Sequence, residues 1–528
     1  MMDARRCPTA RVLQPKPFID VVCSTIGPER MTEPDEVLQQ AGLYDGSVQI
    51  EGAAPSLTDT PYESGTVLLS VPHILVARDL LASGVADGFV ARGWKVVTIS
   101  PTEESRKLLA SEFASSPMVH ECIRPDLGAA ARLHMKLMDM EFSALGTLSK
   151  YMALVRAPDV THTLLRLMFP IRRGPTSRRS RVIGLLERLL QRRADRIYAQ
   201  LFAEHNPDLV LVPSPGFRHE DQTLLRAANG LQVPTLAVVS SWDNLTGRGA
   251  MKVQPQEFCV WNAPMVSHAL RYHRVDPSRV HITGAAQFDT YARTADMYSR
   301  AEVEEQLGVA PGRVIITYLT AAGFHDAERH DLTAFIDAMR QRTVLFQHNA
   351  ILVIRVHPHE NARLYHQFVD GHSVILDPNL PNEIVSHVEP QAGPRSPAMA
   401  RELWKASLLS AADVVFASCA TTALIESCIF DRPSFLITPV NRPGVDAAMQ
   451  SLAREQLAYT HQIEAQEIGA ISRPRDIDAL MAGMAYALDH PEHLREERSR
   501  LVERMCYRID GQASARILNV ALRCAKRV

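Results

Sequence analysis

From residue 65 onward, short apolar runs alternate with stretches whose apolar residues recur every three or four positions. GTVLLS opens the series, LLASGVADGFVARGW follows with a helical spacing, and KVVTIS closes a strand-helix-strand unit. Such a unit requires a parallel sheet, because its two strands point the same way once a helix crosses between them. Residues 103–205 read mainly as helices, with RVIGLLERLLQRRADRIYAQLF the most regular. Strands return at PDLVLVPSP, TLAVVSS, FCVW and VHIT. A second series follows in RVIITYLTAAG, ILVIRVHPHE, HSVILD, DVVFAS and SFLIT, again separated by helical or loop segments.

This order predicts an α/β protein with two doubly wound, Rossmann-like domains. Residues 1–62 lack sustained periodicity apart from PFIDVVCSTIG and form an irregular extension. The first domain is expected over 63–285 with the helical insert 103–205, the second over 286–495, and helices over 496–528 pack back on the first. A chain of 528 residues suits two cores.

Composition narrows the functional classes. With 57 basic and 59 acidic residues the formal net charge is −2, so no whole-molecule field attracts nucleic acid. The eight cysteines show no CxxC pair and no zinc spacing, and are read as reduced packing thiols. The basic N-terminus MMDARRCPTARVLQPKPF is followed by no apolar signal-peptide core, and no apolar run is long enough to span a bilayer. The expected location is cytoplasmic, with membrane contact only at the surface. Arg172 to Arg196 supplies the candidate, an Arg-rich stretch whose helical part keeps Leu185, Leu186, Leu189 and Leu190. A solvated helix face is the alternative.

Three segments carry a resemblance to a known superfamily: LLASGVADGFVARGWKVVTISP, then SSWDNLTGRG…VWNAPMVSHALRYHRVDPSRVHITGAAQFD, then RVHPHE…ADVVFASCATTALIE. Their order over roughly residues 65–525 resembles the GT-B superfamily, which includes sugar-nucleotide glycosyltransferases and UDP-GlcNAc 2-epimerases. The middle segment is similar to a run, common in bacterial proteins of this fold, from a Trp-Asp-Asn turn to a domain crossing. The last looks like the His-Pro and Ser-Ser/Thr motifs of capsule, sialic-acid and polyol-phosphate transferases. It departs from them where Cys419-Ala420 stands in place of a paired serine.

Within this frame ASCATTALIE is the candidate donor segment. Ser418, Thr421 and Thr422 lie where a buried strand gives way to a helix, whose amides and dipole suit a phosphate. Glu426 lies one turn deeper, and the resemblance implies that its carboxylate takes the ribose hydroxyls. An ordinary Ser/Thr cap with a surface Glu is the alternative. Thr320 and Gly323 end the first strand of the same domain and either admit a ligand close to backbone or form a plain strand-to-helix turn. His357, held by Pro358, either donates to a diphosphate or is a capping or packing histidine, and Arg355 is either a second cation or an ion-paired core residue. No Asp-x-Asp motif stands at a strand end, so neither metal nor cofactor is expected.

An inverting transfer needs a base opposite the donor. Asp243, in SSWDNLTGRG, and Asp79, in VARDLLASG, are the acids at predicted strand ends, with His357 the third catalytic candidate. Asp243 can equally cap its own turn, and Asp79 can face solvent beside Arg78. Trp242 is read as a cleft wall or core residue. The leading expectation is metal-independent glycosyl transfer from a nucleotide sugar to a glycan, lipid-linked or small-molecule acceptor in envelope polysaccharide, glycolipid or natural-product synthesis. Epimerisation or hydrolysis of the sugar nucleotide, and a GT-B scaffold that binds without turnover, are the alternatives.

Overall fold

The computed structural model describes residues 64–72, 74–125, 128–143, 178–214, 217–247, 251–321, 324–341, 348–358, 360–378, 397–438, 440 and 445–525. The extended run PFIDVVCSTIG and Gly323 lie outside them.

Seven strands form the first sheet: β1 (Thr66–Ser70), β2 (Lys95–Ser100), β3 (Val119–Cys122), β4 (Leu209–Val212), β5 (Thr235–Val238), β6 (Glu257–Val260) and β7 (Val280–Ile282). Their spatial order is β3-β2-β1-β4-β5-β6-β7, all parallel. Six more form the second: β8 (Val314–Leu319), β9 (Ala350–Arg355), β10 (Val374–Leu376), β11 (Val414–Ala417), β12 (Ser434–Leu436) and β13 (Ile471–Ser472). They run β10-β9-β8-β11-β12-β13, again all parallel. The central strands are apolar on both faces because helices cover both, as parallel sheets require. Leu68 sits opposite Val97 and Val210, and Tyr318 opposite Ile354 and Phe416, all of them completely buried.

Two strands differ from the sequence reading. β3 falls in the stretch read as mainly helical, and β13 adds a sixth strand to the five expected in the second sheet. Both are edge strands without a continuous apolar run, β3 reading VHEC and β13 only IS, so neighbouring backbone decides them.

The helices used below are α1 (Arg178–His205), α2 (His219–Gly230), α3 (Ala263–His273), α4 (His325–Gln341), α5 (Pro397–Ala411), α6 (Thr422–Ile429), α7 (Thr460–Glu467), α8 (Arg495–Cys506) and α9 (Ala513–Ala525). The last two divide between the sheets. On α8, Arg498 is buried and its guanidinium reaches Asp431, just beyond α6. α9 puts Ile517, Leu518, Ala521 and Leu522 into the core of the first sheet, beside Leu209, Leu236, Val85 and Phe89. Each of the isoleucine and leucine side chains contributes about 1.5–3 kcal/mol by leaving water. Asn262 caps α3 by accepting the Met265 N–H at 3.0 Å and donates to the Met505 carbonyl at 2.6 Å, tying the first sheet to the end of α8. Among the described residues no helix is long and apolar enough to cross a membrane.

Candidate functional site

Each sheet reverses its strand order once, between β1 and β4 and between β8 and β11. Neighbouring connections leave in opposite directions there, opening a crevice at the carboxyl ends of the strands. Residues just beyond those four strands are therefore the first place to look for chemistry.

At the second sheet, Thr320 follows β8 and His357 follows β9. The Thr320 hydroxyl accepts the His357 backbone N–H at 2.7 Å, locking the two strand ends together. The Ala321 N–H donates to Glu328 of α4 at 2.6 Å, and the Tyr365 hydroxyl donates to the other oxygen of the same carboxylate at 2.5 Å. Burial pushes the Glu328 carboxyl up to about 8. Its work is to hold the turn after β8 in shape.

Beyond β11, Ser418 is completely buried and accepts from the Tyr318 hydroxyl at 2.8 Å. Its hydroxyl is committed to the sheet. Thr421 caps α6, and both Thr421 and Thr422 are half-buried where the helix amides emerge. Cys419 packs with Ala321 and Phe324, and burial raises its thiol well above the ordinary range. The residue that breaks the paired-serine pattern thus fills an apolar gap.

Arg355 is ion-paired with Asp377, which is fully buried and also accepts from Trp404 Nε1 at 2.8 Å. Glu426 is buried at the base of α6, where one carboxylate oxygen receives the Tyr291 hydroxyl at 2.5 Å and Lys405 Nζ at 3.1 Å. Lys405, on α5, is shared with Glu402 at 2.8 Å.

The first sheet reaches this cluster from the helical segment 74–82 that follows β1. Arg78 Nε donates to Asp79 at 2.8 Å. Burial works against its charge, but Asp79, Glu402 and Glu426 together hold the guanidinium protonated beyond its usual range. Burial likewise lifts Asp79, with Arg78 opposing. Burial also opposes ionisation of Glu402, and Lys405 and Arg78 outweigh it, taking that carboxyl below the ordinary range. Two cations, Arg78 and Lys405, thus stand among three carboxylates from both sheets out of water, where charges are tolerated only when paired.

A further carboxylate sits at the first sheet's own crevice. Asp221 on α2 is completely buried and accepts Ser70 Oγ at 2.7 Å and Ser214 Oγ at 2.6 Å, from the ends of β1 and β4. Burial pushes it up to about 6. Ser240, at the end of β5, donates to the Pro213 carbonyl and also interacts with Asp79. Two sets of polar groups therefore meet at the backbone of Pro213 and Ser214: Asp221 with Ser70 and Ser214, and Ser240 with Asp79, Arg78 and the Glu426 cluster.

Asp243 belongs to a second contact. It accepts Ser241 Oγ at 2.5 Å, and its carbonyl accepts the Gly247 N–H at 2.6 Å, closing the turn. This turn docks on α7. Trp242 meets the His461 ring edge-on at 4.8 Å, and Thr246 Oγ1 lies 2.7 Å from His461 Nδ1. His268 of α3 pairs with Glu464 of α7 at 2.9 Å.

The structure thus joins Asp79 with Glu426 in one cluster and Thr320 with His357 in another. Arg355 and Asp243 each have a local partner. Sequence reasoning passed over Asp221, Tyr291, Glu402, Lys405 and His461. Only Asp221 carried a signal, an acid in the first turn after the strand-end PSP; the others lie in ordinary helical patterns. One group of possible metal ligands occurs among the described residues, Glu121, Glu204 and His205. Both ring nitrogens of His205 are engaged, by Lys95 at 2.9 Å and Glu121 at 3.1 Å, so this is an ion-pair network beside β3.

No family model and no curated protein matches the chain in sequence. Its fold has solved counterparts. UDP-GlcNAc 2-epimerase from Neisseria meningitidis, bound to UDP-GlcNAc, is similar at 12% identity, covering 87% of this chain and 100% of that one, with a TM-score of 0.50. An S. aureus MnaA–UDP structure matches at 13% identity over 86% of this chain and 95% of that one, TM-score 0.48. A glycosyltransferase from Rickettsia africae matches at 11% identity over 88% and 100%, TM-score 0.45. Together with the two parallel sheets and their single strand-order reversals, the Neisseria likeness shows that this chain has the GT-B fold.

Proposed function

We propose that the protein is a nucleotide-sugar enzyme that transfers the sugar to an acceptor hydroxyl. The observation that carries this reading is the set of buried and half-buried polar groups that reaches from the crevice of the first sheet to Glu426 on α6, the helix that follows β11. It supplies what a donor and an acceptor on opposite sheets require. The amides and hydroxyls of Thr421 and Thr422 face the donor diphosphate, with Thr320 and His357 beside them and Arg78 as the cation from the other sheet. Glu426 takes the ribose hydroxyls in place of the Tyr291 hydroxyl it now accepts.

In the transfer the acceptor oxygen bonds to the anomeric carbon, the bond from that carbon to the diphosphate breaks, and the acceptor proton must leave. Asp243 is engaged in its turn and Asp79 by Arg78. Asp221, ionised above pH about 6 and reached through the half-buried Ser214 hydroxyl, is the better proton sink. The leaving diphosphate is stabilised by the helix terminus and side chains without metal.

The UDP-GlcNAc bound to the Neisseria protein makes UDP-sugars the first donors to try. Purified protein is incubated with UDP-, CDP-, CMP-, GDP- and TDP-sugars, and nucleotide release is followed with and without candidate acceptors. Release that depends on acceptor supports transfer. A new sugar isomer, or acceptor-independent release, replaces it with epimerisation or hydrolysis, and binding without release replaces it with a non-catalytic scaffold.

A further inference from the structure

Helix α1 packs on α2 and on the helix Gly128–Ser143 through a face that includes Leu190, Ala194 and Tyr198. Its opposite face holds Leu185 and Leu189, exposed by 64% and 44%. They are the only pair of exposed large apolar side chains one turn apart on an α-helix among the described residues. Arg188, Arg192 and Arg196 stand on the same face, exposed. At 3.6 residues per turn these five side chains occupy an arc of about 100°. None of the three arginines forms an ion pair with an acid among the described residues. Their contacts are limited to backbone carbonyls of α1 itself, Gly184 for Arg188 and Arg192 for Arg196. Asp195 borders the arc and accepts from Gln191. The whole helix carries seven arginines against three acids, in a chain whose net charge is −2.

We propose that this face of α1 docks on an anionic membrane surface. Exposed leucines gain nothing from water, and unpaired arginines do not need an apolar partner; a lipid headgroup region satisfies both. The leucines enter the acyl boundary while the arginine stems lie along it with their guanidinium groups among the phosphates. A second copy of the chain fits poorly, since pairing two such faces would oppose arginine to arginine. A nucleic-acid backbone would neutralise the arginines and leave both leucines uncovered. The inference is independent of the chemistry proposed for the crevices.

The test uses the full chain and vesicles of phosphatidylcholine, with and without about one-third phosphatidylglycerol, in a flotation assay. The protein is expected to float with anionic vesicles only, and to be released as salt rises from about 0.05 M to about 0.5 M. Leu185→Glu with Leu189→Glu is expected to weaken partitioning at least about tenfold, because it removes the inserted groups and adds like charge to that of the lipid. Arg188→Glu with Arg192→Glu should do the same. Both double variants should keep the wild-type thermal midpoint, since the substituted side chains face solvent. The proposal is overturned by no association with anionic vesicles or by binding that both variants retain. A dimer dissolved by the leucine substitutions, or RNA retention lost with the arginines, in the absence of vesicle binding would also overturn it.

Discussion

His461 gives the sharpest test of how the two sheets are held. The ring is 4% exposed, contacts Trp242 and Thr246 from the turn after β5, and is pushed by burial down to about 4 from its ordinary 6.5. Asp243 pulls the other way and His268 adds to the depression, but burial dominates. On acidification the unfolded or undocked chain takes up the proton first. The neutral ring therefore contributes stability that is complete above pH 6.5 and lost as pH falls toward about 4. Each pH unit is about 1.4 kcal/mol, so the contribution is about 3 kcal/mol.

His461→Gln keeps a polar partner for Thr246, cannot titrate, and loses the aromatic contact to Trp242. At pH 7.5 that loss should cost about 1 kcal/mol. Between pH 6.5 and 4 the variant should show about 3 kcal/mol less pH-dependence than wild type. Because opening of this contact need not coincide with global unfolding, the assay is hydrogen exchange of segments 242–247 and 460–467, corrected for intrinsic rates. His273, also pushed down to about 4 by burial, titrates in both proteins and cancels in the difference. If wild type and variant lose protection in parallel across this range, His461 does not govern the contact.

Glu426→Gln should weaken nucleotide-sugar binding at least about tenfold, whereas Tyr291→Phe, which removes one competing hydrogen bond, should tighten it by about fivefold; calorimetric titration with UDP-sugars reads both, and equal losses would refute the exchange of partners. Arg355→Leu should lower stability by about 3–5 kcal/mol, because it removes the guanidinium that pairs with the fully buried Asp377 carboxylate. A variant with an unchanged melting midpoint but weaker donor binding would show instead that Arg355 serves the ligand. Asp221→Asn should abolish the rise of turnover with pH centred near 6, and an unaltered profile would remove Asp221 from the reaction. Turnover should persist in chelator; dependence on an added divalent ion would sink the metal-independent reading.

Some of the site was readable because local chemistry alone defines it. Thr421 caps α6 as its position after DVVFAS predicts, since a hydroxyl at that turn satisfies an otherwise orphaned helix amide. Ser418 shows where such reading stops. The same position admits a hydroxyl turned outward to phosphate or inward to Tyr318, and only the packed sheet selects the inward one. Glu426 was expected at a ligand-facing turn of the helix, but no sequence spacing announces that Tyr291, over a hundred residues away, and Lys405 meet its carboxylate.

What the sequence by itself determined is the kind of layer each segment builds. Runs such as TVLLS and VIITYL are mostly apolar at successive positions and must be covered on both faces, which dictates parallel strands, crossover helices and two doubly wound sheets. Periodicity is a one-dimensional property and survives translation into structure. The tertiary structure alone decided the edge strands β3 and β13, the docking of α8 beside α6 of the second sheet, and the meeting of Arg78 with Glu402 and Glu426. Those outcomes depend on which surfaces remain uncovered after the sheets form, and on charges finding partners out of water. Both are properties of neighbours distant in the chain.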